Sequence, residues 1–178
     1  DYVAKLVLQR QRDPENPMTF DAAQLNFIAI VVTQLEKMLA AEQGGEAVTQ
    51  EVVLLMGQGG SGKTEVVNIM REVVRHFFGD DAYIAMAPSN TTARGVEGDT
   101  IHSYTGLWGD TRLTTDKLTK GRSPAMMDRW RPARDLALDE VGMCGPDLFG
   151  AASFRICFCG GAPTSIPRRD LPSGVLSW

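Results

Sequence analysis

Apolar residues recur at steps of three and four between residues 19 and 43, which predicts an amphipathic helix with one buried face. The residues of that predicted face are Leu25, Ile28, Val32, Leu35 and Leu39. Thr19 or Asp21 can cap the start of the helix, and a pair of glycines beginning at Gly44 ends it. The preceding residues, 1–18, are interrupted by two prolines and are predicted to be a polar lead-in.

Three short apolar runs predict β-strands at residues 52–56, 82–87 and 136–138. The first run is apolar at every position, which is typical of a strand buried on both faces of a parallel sheet. A helix is predicted between the first two strands, from Lys63 to Phe78, with an inner face made of Val66, Met70, Val73 and Phe77. This order of strands and helices predicts an α/β fold with a parallel sheet flanked by helices.

The connections between these elements are polar. Residues 88–98 are predicted to be a connector with room for a short helix, and residues 105–134 a surface excursion. Between Arg112 and Arg134 the chain carries seven Arg or Lys and two Asp. This basic segment fits either a solvated loop or a patch that contacts phosphate groups.

Composition narrows the class of protein. Hydrophobic residues make up 43% and charged residues 22%, as in soluble globular proteins, and no apolar run is long enough to span a bilayer. The net charge of −4 does not indicate a nucleic-acid-binding surface. Three cysteines are too few for a disulfide framework, which predicts an intracellular setting without a membrane partner. The chain begins with Asp1, so we expect it to be a fragment of a longer protein.

The segment GQGGSGKT matches the pattern G-x-x-x-x-G-K-[ST] of a phosphate-binding loop. Glycines let backbone amides turn towards phosphate oxygens, and the following helix points its positive end at the same anion. The lysine can reach the β- and γ-phosphates, and the threonine hydroxyl can ligate Mg²⁺. The predicted nucleotide-binding residues of this P-loop are Gly57, Gly59, Gly60, Ser61, Gly62, Lys63 and Thr64.

An acidic pair, Asp139 and Glu140, follows the third predicted strand, as a Walker B pair does. The aspartate is predicted to hold Mg²⁺, and the glutamate to polarise the attacking water. Glu140 and Lys63 are therefore the predicted catalytic residues. Gln24 carries an amide that can both donate to and accept from an adenine, although an isolated glutamine on a helix is ordinarily a surface residue.

Two stretches beyond the second strand, residues 87–95 and 98–107, are rich in small hydroxyl side chains, which suit contacts to a phosphodiester chain. His102 and Tyr104 could stack on a base. The residue types alone favour the alternative of two structural turns with a buried histidine. The candidate DNA contacts in these stretches are Ser89, Asn90, Thr91, Thr100, His102 and Ser103.

Taken together, these segments resemble the Pif1-like and RecD-like DNA helicases of superfamily 1. FDAAQ, ending at Gln24, resembles the adenine-reading Q motif, and GQGGSGKT is similar to motif I. APSNTTA resembles motif Ia, DTIHSYTGL the T-x-H-S segment, and LALDEVGM motif II, with Gly142 in place of its usual serine. The resemblance covers roughly residues 19–149.

The resemblance implies a P-loop NTPase of the RecA-like type that hydrolyses ATP with Mg²⁺. It also implies movement 5′ to 3′ on single-stranded DNA, with roles in DNA repair, recombination and, in eukaryotes, telomere maintenance. In a eukaryote the expected compartment is the nucleus or the mitochondrion. Two other classes stay open: a P-loop ATPase without DNA activity, and an inactive helicase remnant.

The resemblance ends after Phe149, where the helicases continue towards motif III. Motif III and a second motor domain are absent from the sequence, so we expect an incomplete first motor domain that does not unwind DNA by itself. Residues 150–178 contain no Lys, Glu, Gln or Asn and have no periodic apolar face. They are predicted to be a poorly ordered tail, arising from a frameshift, a mis-joined exon or a degenerate copy. Loss of a strand would leave the edge of Leu136–Leu138 uncovered.

Overall fold

A computed structural model describes residues 2–44, 52–107, 124–159 and 175–177 of the chain. Its helices, numbered in chain order, are α1 (Tyr2–Gln11), α2 (Ala22–Gly44), α3 (Lys63–Phe78), α4 (Asn90–Gly95), α5 (Ile101–Thr105), α6 (Pro124–Trp130) and α7 (Pro146–Cys159). Its strands are β1 (Val52–Val53), β2 (Tyr83–Ala87), β3 (Asp99–Thr100), β4 (Asp135–Leu138) and β5 (Val175–Ser177). Short 3-10 turns precede β2 and follow β4.

The described strands form one sheet in the order β1-β5-β4-β2-β3, and every neighbouring pair is parallel. The predicted α/β fold with a parallel sheet is therefore confirmed. Because the strands run the same way, the segments that follow them meet at the carboxyl edge of the sheet. That edge brings together the P-loop after β1, the start of α4 after β2 and the acidic pair after β4.

Both faces of the sheet are covered by apolar packing. Alternate side chains of β2 and β4 point to opposite faces, as the two-residue period of a strand requires. One face packs against α2 and α3 through Tyr83, Ala85 and Ala137. The other packs against Ile101 of α5, Trp130 of α6 and Ala152 of α7 through Ile84, Met86, Leu136 and Leu138. The carboxyl edge of the sheet is thus supported by helices packed on both faces.

Helix α2 has close to the predicted bounds but a differently oriented buried face. Leu25 is 40% exposed and Leu39 is only partly buried, so the predicted stripe is wrong at these two positions, whereas Val32 is partly buried and packs against the core as predicted. The apolar residues that are buried are Phe27, Ile28, Val31, Leu35, Met38 and Ala41. Because α2 carries apolar residues on more than one side, periodicity alone could not select the face that packs.

Helix α3 begins and ends at the predicted residues, Lys63 and Phe78. Val66, Met70 and Val73 are buried as predicted. The prediction for Phe77 is wrong, because this ring is 41% exposed and lies edge-on to His76 at the surface.

The prediction that residues 1–18 are only a polar lead-in is also wrong. Residues Tyr2–Gln11 form α1, whose Leu6 is buried in the same core as α2 and α3. The Tyr2 ring stacks on His76 with centroids 3.7 Å apart, and Arg10 forms an ion pair with Glu72. These contacts join residues that are at least 62 positions apart in the sequence, so the local pattern could not reveal them.

Strand β1 is shorter and more exposed than its apolar run predicts. Only Val52 and Val53 pair with a neighbour, and β1 lies at an end of the described sheet. Val52 is 59% exposed and Met56 is 78% exposed, so the prediction of a strand buried on both faces is wrong. An edge strand and a central strand can have the same apolar composition, so the apolar run alone could not predict that β1 lies at an end of the described sheet.

The last part of the chain is structured where it is described. Helix α7 continues to Cys159, and Ala151, Ala152 and Arg155 are buried. Strand β5 pairs with β4, with Leu136 opposite Leu176 in the register. The prediction of a poorly ordered tail is therefore wrong at residues 150–159 and 175–177, and the prediction of an uncovered edge at Leu136–Leu138 is wrong because β5 pairs with β4. Residues 160–174 lie outside the described residues.

The predicted surface excursion, residues 105–134, is described only at its ends. Trp130 of α6 is buried, and its indole Nε1 donates to the backbone oxygen of Tyr104 at 3.1 Å. The basic segment that begins at Arg112 lies mostly outside the described residues. Within the described part, Arg131 pairs with Asp128 and Arg134 with Glu42. None of the described helices is both long and apolar enough to cross a bilayer.

Candidate functional site

A cleft of about 530 Å³ lies at the carboxyl edge of the sheet, between the P-loop and the residues after β4. Lys63 and Thr64 line it from the P-loop side, and Asp139 and Glu140 line it from the β4 side. The fold therefore brings the two predicted motifs, which are about 75 residues apart in the sequence, to one cavity. A second cleft of about 440 Å³ shares Gly57 and Lys63 with the first and adds Gln24 and Ser61. Residues 54–56 line both clefts as well, so the two clefts adjoin each other at the P-loop and the segment just before it.

The backbone of the P-loop uses its glycines for conformations that other residues avoid. Gly60 and Gly62 both have φ of 76°, in the left-handed region where a β-carbon would be strained. Gly62 is the residue that precedes α3, and its left-handed turn directs the chain into that helix. The Glu65 and Val66 amides donate to the Gly62 oxygen at 3.1 and 3.3 Å, which leaves the first two amides of α3, those of Lys63 and Thr64, as donors to an anion.

The Lys63 ammonium lies over the P-loop. It donates to the backbone oxygens of Gly57 at 2.8 Å and Gln58 at 2.9 Å. Because an ammonium has three donors, these two bonds fix its position and leave capacity for a phosphate oxygen. The side chain is exposed to the cleft rather than packed in the core.

The acidic pair continues directly from β4. The Asp139 amide donates to the Met86 oxygen at 2.9 Å, which ties this turn to β2. The Glu140 amide donates to the Asp139 carboxylate at 3.0 Å. Glu140 itself has φ of 53° and ψ of 41°, a left-handed conformation that is uncommon for a residue with a side chain. Such strain is found where the surrounding structure imposes a geometry, and here it turns the chain sharply at the cleft.

Gln24 lies at the start of α2, where Asp21 caps the helix as predicted, and its side chain makes two further contacts that the sequence analysis did not predict. Its side-chain oxygen accepts from the Asp21 amide at 2.8 Å, and the Asp21 carboxylate accepts from the Gln24 amide at 2.8 Å. This reciprocal pair is a capping box, and the D-x-x-Q spacing was the signal that could have revealed it. The Gln24 Nε2 donates to the backbone oxygen of Ser61 at 2.8 Å. The adenine-reading role of Gln24 stays a prediction.

The candidate DNA contacts lie at the same edge of the sheet, but three of their hydroxyls already form hydrogen bonds within the protein. Ser89 caps α4 by accepting from the Thr92 amide, and Thr100 caps α5 by accepting from the Ser103 amide. The Ser103 hydroxyl donates to the Asp99 carboxylate at 2.6 Å. Of the remaining candidates, Asn90 and Thr91 are exposed on the first turn of α4, and His102 is half-buried. Their contact with DNA stays a prediction.

Sequence reasoning missed a second group of polar residues, at the opposite end of the sheet. Asp135 and Tyr83 are buried neighbours on adjacent strands, where the register pairs them. Neither the Asp135 Oδ1 nor the Tyr83 hydroxyl has a hydrogen-bond partner among the described residues. Burial raises the pKa of Asp135 to about 7, and burial raises the pKa of Tyr83 well above its usual value.

The oxygen donors in the cleft suit Mg²⁺, which needs few protein ligands, and do not suit a metal that is held only by protein side chains. Within the described parts of the chain, no three His, Cys, Asp or Glu side chains cluster as a metal site. Mg²⁺ is commonly held by one or two carboxylates together with substrate phosphates and water. The Thr64 hydroxyl and the Asp139 carboxylate line one cleft and are oxygen donors of this kind.

A parallel sheet with a P-loop and an acidic pair at its carboxyl edge defines the class of P-loop nucleotide-binding domains. Residues 39–152 match the AAA domain family, which is more than half of the chain. The chain therefore belongs to the AAA domain family.

Two relatives are helicases by name. The chain is 32% identical over 102 residues to ATP-dependent DNA helicase PIF6 of Trypanosoma brucei brucei, covering 54% of the chain and 12% of that protein. It is 24% identical over 149 residues to ATP-dependent DNA helicase PIF1 of Saccharomyces cerevisiae, covering 83% of the chain and 17% of that protein. The chain thus spans less than a fifth of the length of either relative.

Solved structures share the fold. The Pif1 helicase from Candida albicans superposes with a TM-score of 0.62 at 17% identity, covering 90% of the chain and 32% of that protein. Bacteroides Pif1 bound to ssDNA superposes with a TM-score of 0.61 at 18% identity, with the same two coverages. The predicted likeness to the Pif1-like helicases is confirmed at the level of fold, and it extends past Phe149, where the sequence resemblance ended.

Proposed function

We propose that this chain binds and hydrolyses ATP as part of the first motor domain of a DNA helicase. The observation that carries the proposal is the single cleft lined by Lys63, Thr64, Asp139 and Glu140. These side chains supply the cation, hydroxyl and carboxylates that phosphoryl transfer to water requires. The two relatives named as ATP-dependent DNA helicases support the same activity.

In this proposal, each residue has a defined task. The first amides of α3 and the Lys63 ammonium bind the β- and γ-phosphates and offset their negative charge. Thr64 and Asp139 hold Mg²⁺, which supplies further stabilisation of charge on the phosphate oxygens. Glu140 orients the attacking water and accepts its proton as the bond to the leaving ADP breaks. Glu140 lines the cleft, and its left-handed backbone turns the chain at that point.

Single-stranded DNA is the proposed partner, and unwinding would need a second motor domain in addition to this chain. A structure of a similar helicase bound to ssDNA supports this partner. Roles in repair, recombination and telomere maintenance are part of the same proposal. A P-loop ATPase without DNA activity is the second candidate, favoured by the internal hydrogen bonds of Ser89, Thr100 and Ser103. Stimulation of ATP hydrolysis by added ssDNA separates the two candidates.

Nucleotide binding is tested by titrating a fluorescent ATP analogue with Mg²⁺ into the wild-type chain and into Lys63→Ala. Removing a cation that faces two phosphates should weaken binding by about 2 to 5 kcal/mol. Lys37→Ala is the matched control, because Lys37 is an exposed lysine on α2 away from the cleft. Equal affinities for wild type and Lys63→Ala would remove the basis of the assignment.

A further inference from the structure

Both ends of the Gln24 side-chain amide are engaged, and they join two parts of the chain that are far apart in sequence. The oxygen completes the capping box with Asp21 at the start of α2. The nitrogen donates to the backbone oxygen of Ser61, which lies 37 positions further along the chain. A capping box accounts for the first contact, but helix capping does not require the second.

The second contact fixes the direction of one peptide unit in the P-loop. The oxygen of Ser61 and the amide hydrogen of Gly62 belong to the same planar trans peptide, so they point in opposite directions. Because the Ser61 oxygen faces Gln24, the Gly62 N–H must face away from Gln24. A β-carbon built on Gly62 would lie 2.8 Å from the Gln24 nitrogen, so the amide sits directly against this residue.

This peptide needs an external restraint. Gly60 and Gly62 flank Ser61 and both adopt left-handed backbone conformations, and glycine crosses between such conformations at little steric cost. A flipped peptide would present the Ser61 oxygen, rather than the Gly62 N–H, on the side opposite Gln24. A carbonyl dipole facing a phosphate is repulsive, whereas an N–H is a favourable donor.

We propose that Gln24 is a positioning residue, which holds the Ser61–Gly62 peptide so that the Gly62 N–H serves the phosphates of the nucleotide. This inference rests on the proposed function, and it differs from reading adenine, because it acts on the phosphate end of the ligand. The two roles are compatible, since a glutamine amide has a second N–H and a second lone pair.

Inorganic triphosphate separates positioning from base recognition, because it has no base. The wild-type chain and Gln24→Met are compared for binding of ATP and of inorganic triphosphate, each with Mg²⁺, by competition with a fluorescent ATP analogue. Methionine is uncharged and similar in length but has no amide. Loss of one restraining hydrogen bond should weaken both ligands by the same factor, about 3- to 10-fold.

Two further variants control for folding. Asp21→Ala removes the carboxylate of the capping box but keeps the backbone amide that Gln24 accepts from, so it should lower the melting temperature while leaving triphosphate affinity unchanged. Gln24→Glu keeps the capping acceptor and loses the donor to Ser61. It should fold as well as the wild type and bind triphosphate at least as weakly as Gln24→Met.

The outcomes are distinct. A Gln24→Met variant that binds ATP more weakly but inorganic triphosphate with unchanged affinity would overturn the positioning role. A wild-type chain that binds ATP but not inorganic triphosphate would overturn it as well, because the phosphate cradle would then contribute no binding of its own. Failure of the wild-type chain to bind either ligand would instead overturn the proposed function.

Discussion

The two ends of β4 carry the same residue type in opposite environments. Asp135 begins the strand and is 2% exposed, and its Oδ1 has no partner among the described residues. Asp139 follows the strand, lines the cleft, and accepts a hydrogen bond from the Glu140 amide. Only the second aspartate is placed where a ligand can reach it. An acidic residue next to a strand therefore indicates chemistry only when it lies at the carboxyl edge.

The largest effect is expected from changing Glu140, which follows Asp139 and lines the same cleft. Glu140→Gln keeps the size of the side chain and removes the carboxylate that is proposed to accept a proton from water. The steady-state rate of ATP hydrolysis should fall about 100-fold or more, while nucleotide affinity is retained. Phosphate release and binding of the fluorescent analogue measure the two quantities. A variant that hydrolyses ATP at the wild-type rate would exclude Glu140 as the base.

Changing Asp135 should affect stability rather than turnover. The pKa of Asp135 is about 7 in the folded chain, above its ordinary value of 3.8. The contribution of this group to stability is therefore fully present below the lower value and is lost as the pH rises through about 7. Asp135→Asn cannot ionise, so its free energy of unfolding relative to wild type should increase between pH 4 and pH 8, by on the order of 3 kcal/mol.

Urea denaturation of the two proteins at several pH values measures this difference. Tyr83→Phe is the matched control at the neighbouring strand position, because it removes a buried hydroxyl that stays neutral across the same pH window. Its difference from wild type should not vary with pH. A flat difference for Asp135→Asn as well would show that Asp135 does not titrate in that window.

The smallest effect is expected from changing Ser89, at the carboxyl edge of the sheet, where a role in capping α4 can be separated from a role in binding DNA. Ser89→Ala removes the cap of α4 and should lower the free energy of unfolding by about 1 kcal/mol. Asn90→Ala, at the exposed neighbouring position, should change stability little. Denaturation reports stability, and binding of labelled single-stranded DNA reports contact. If Ser89→Ala leaves stability unchanged but weakens DNA binding, the hydroxyl serves the ligand rather than the helix.

The parts of the fold that follow local rules could be predicted from the sequence. The bounds of α3 and the strands β2 and β4 follow from glycine placement and short apolar runs, and the P-loop and acidic pair from motif spacing. The cleft that joins these two motifs followed from the parallel sheet. Each of these features is set by residues close in sequence, or by the rule that parallel strands share one functional edge.

The errors share a different cause. Distant parts of the chain decide which residues are buried. Leu6 of α1 and the buried face of α2 pack in one core with α3, whereas Met56 is left exposed. The adenine-reading role of Gln24, implied by the resemblance, stays a prediction, but the sequence did not predict its contact with the Ser61 oxygen, 37 positions away. Periodicity reports that a residue is apolar, but it does not report which surface, if any, will cover it.

Helix α2 extends for 23 residues, roughly 35 Å at 1.5 Å per residue, and is fastened at both ends. At its start Gln24 grips the P-loop, and near its end Glu42 pairs with Arg134, the residue just before β4. Arg134 is itself tied to the sheet, since its backbone amide donates to the Ala82 oxygen at 2.8 Å. Helix α2 therefore contacts the P-loop near its first residue and the residue just before β4 near its last. Both contacts lie on one continuous helix, so the position of the P-loop is linked to the position of the residue just before β4.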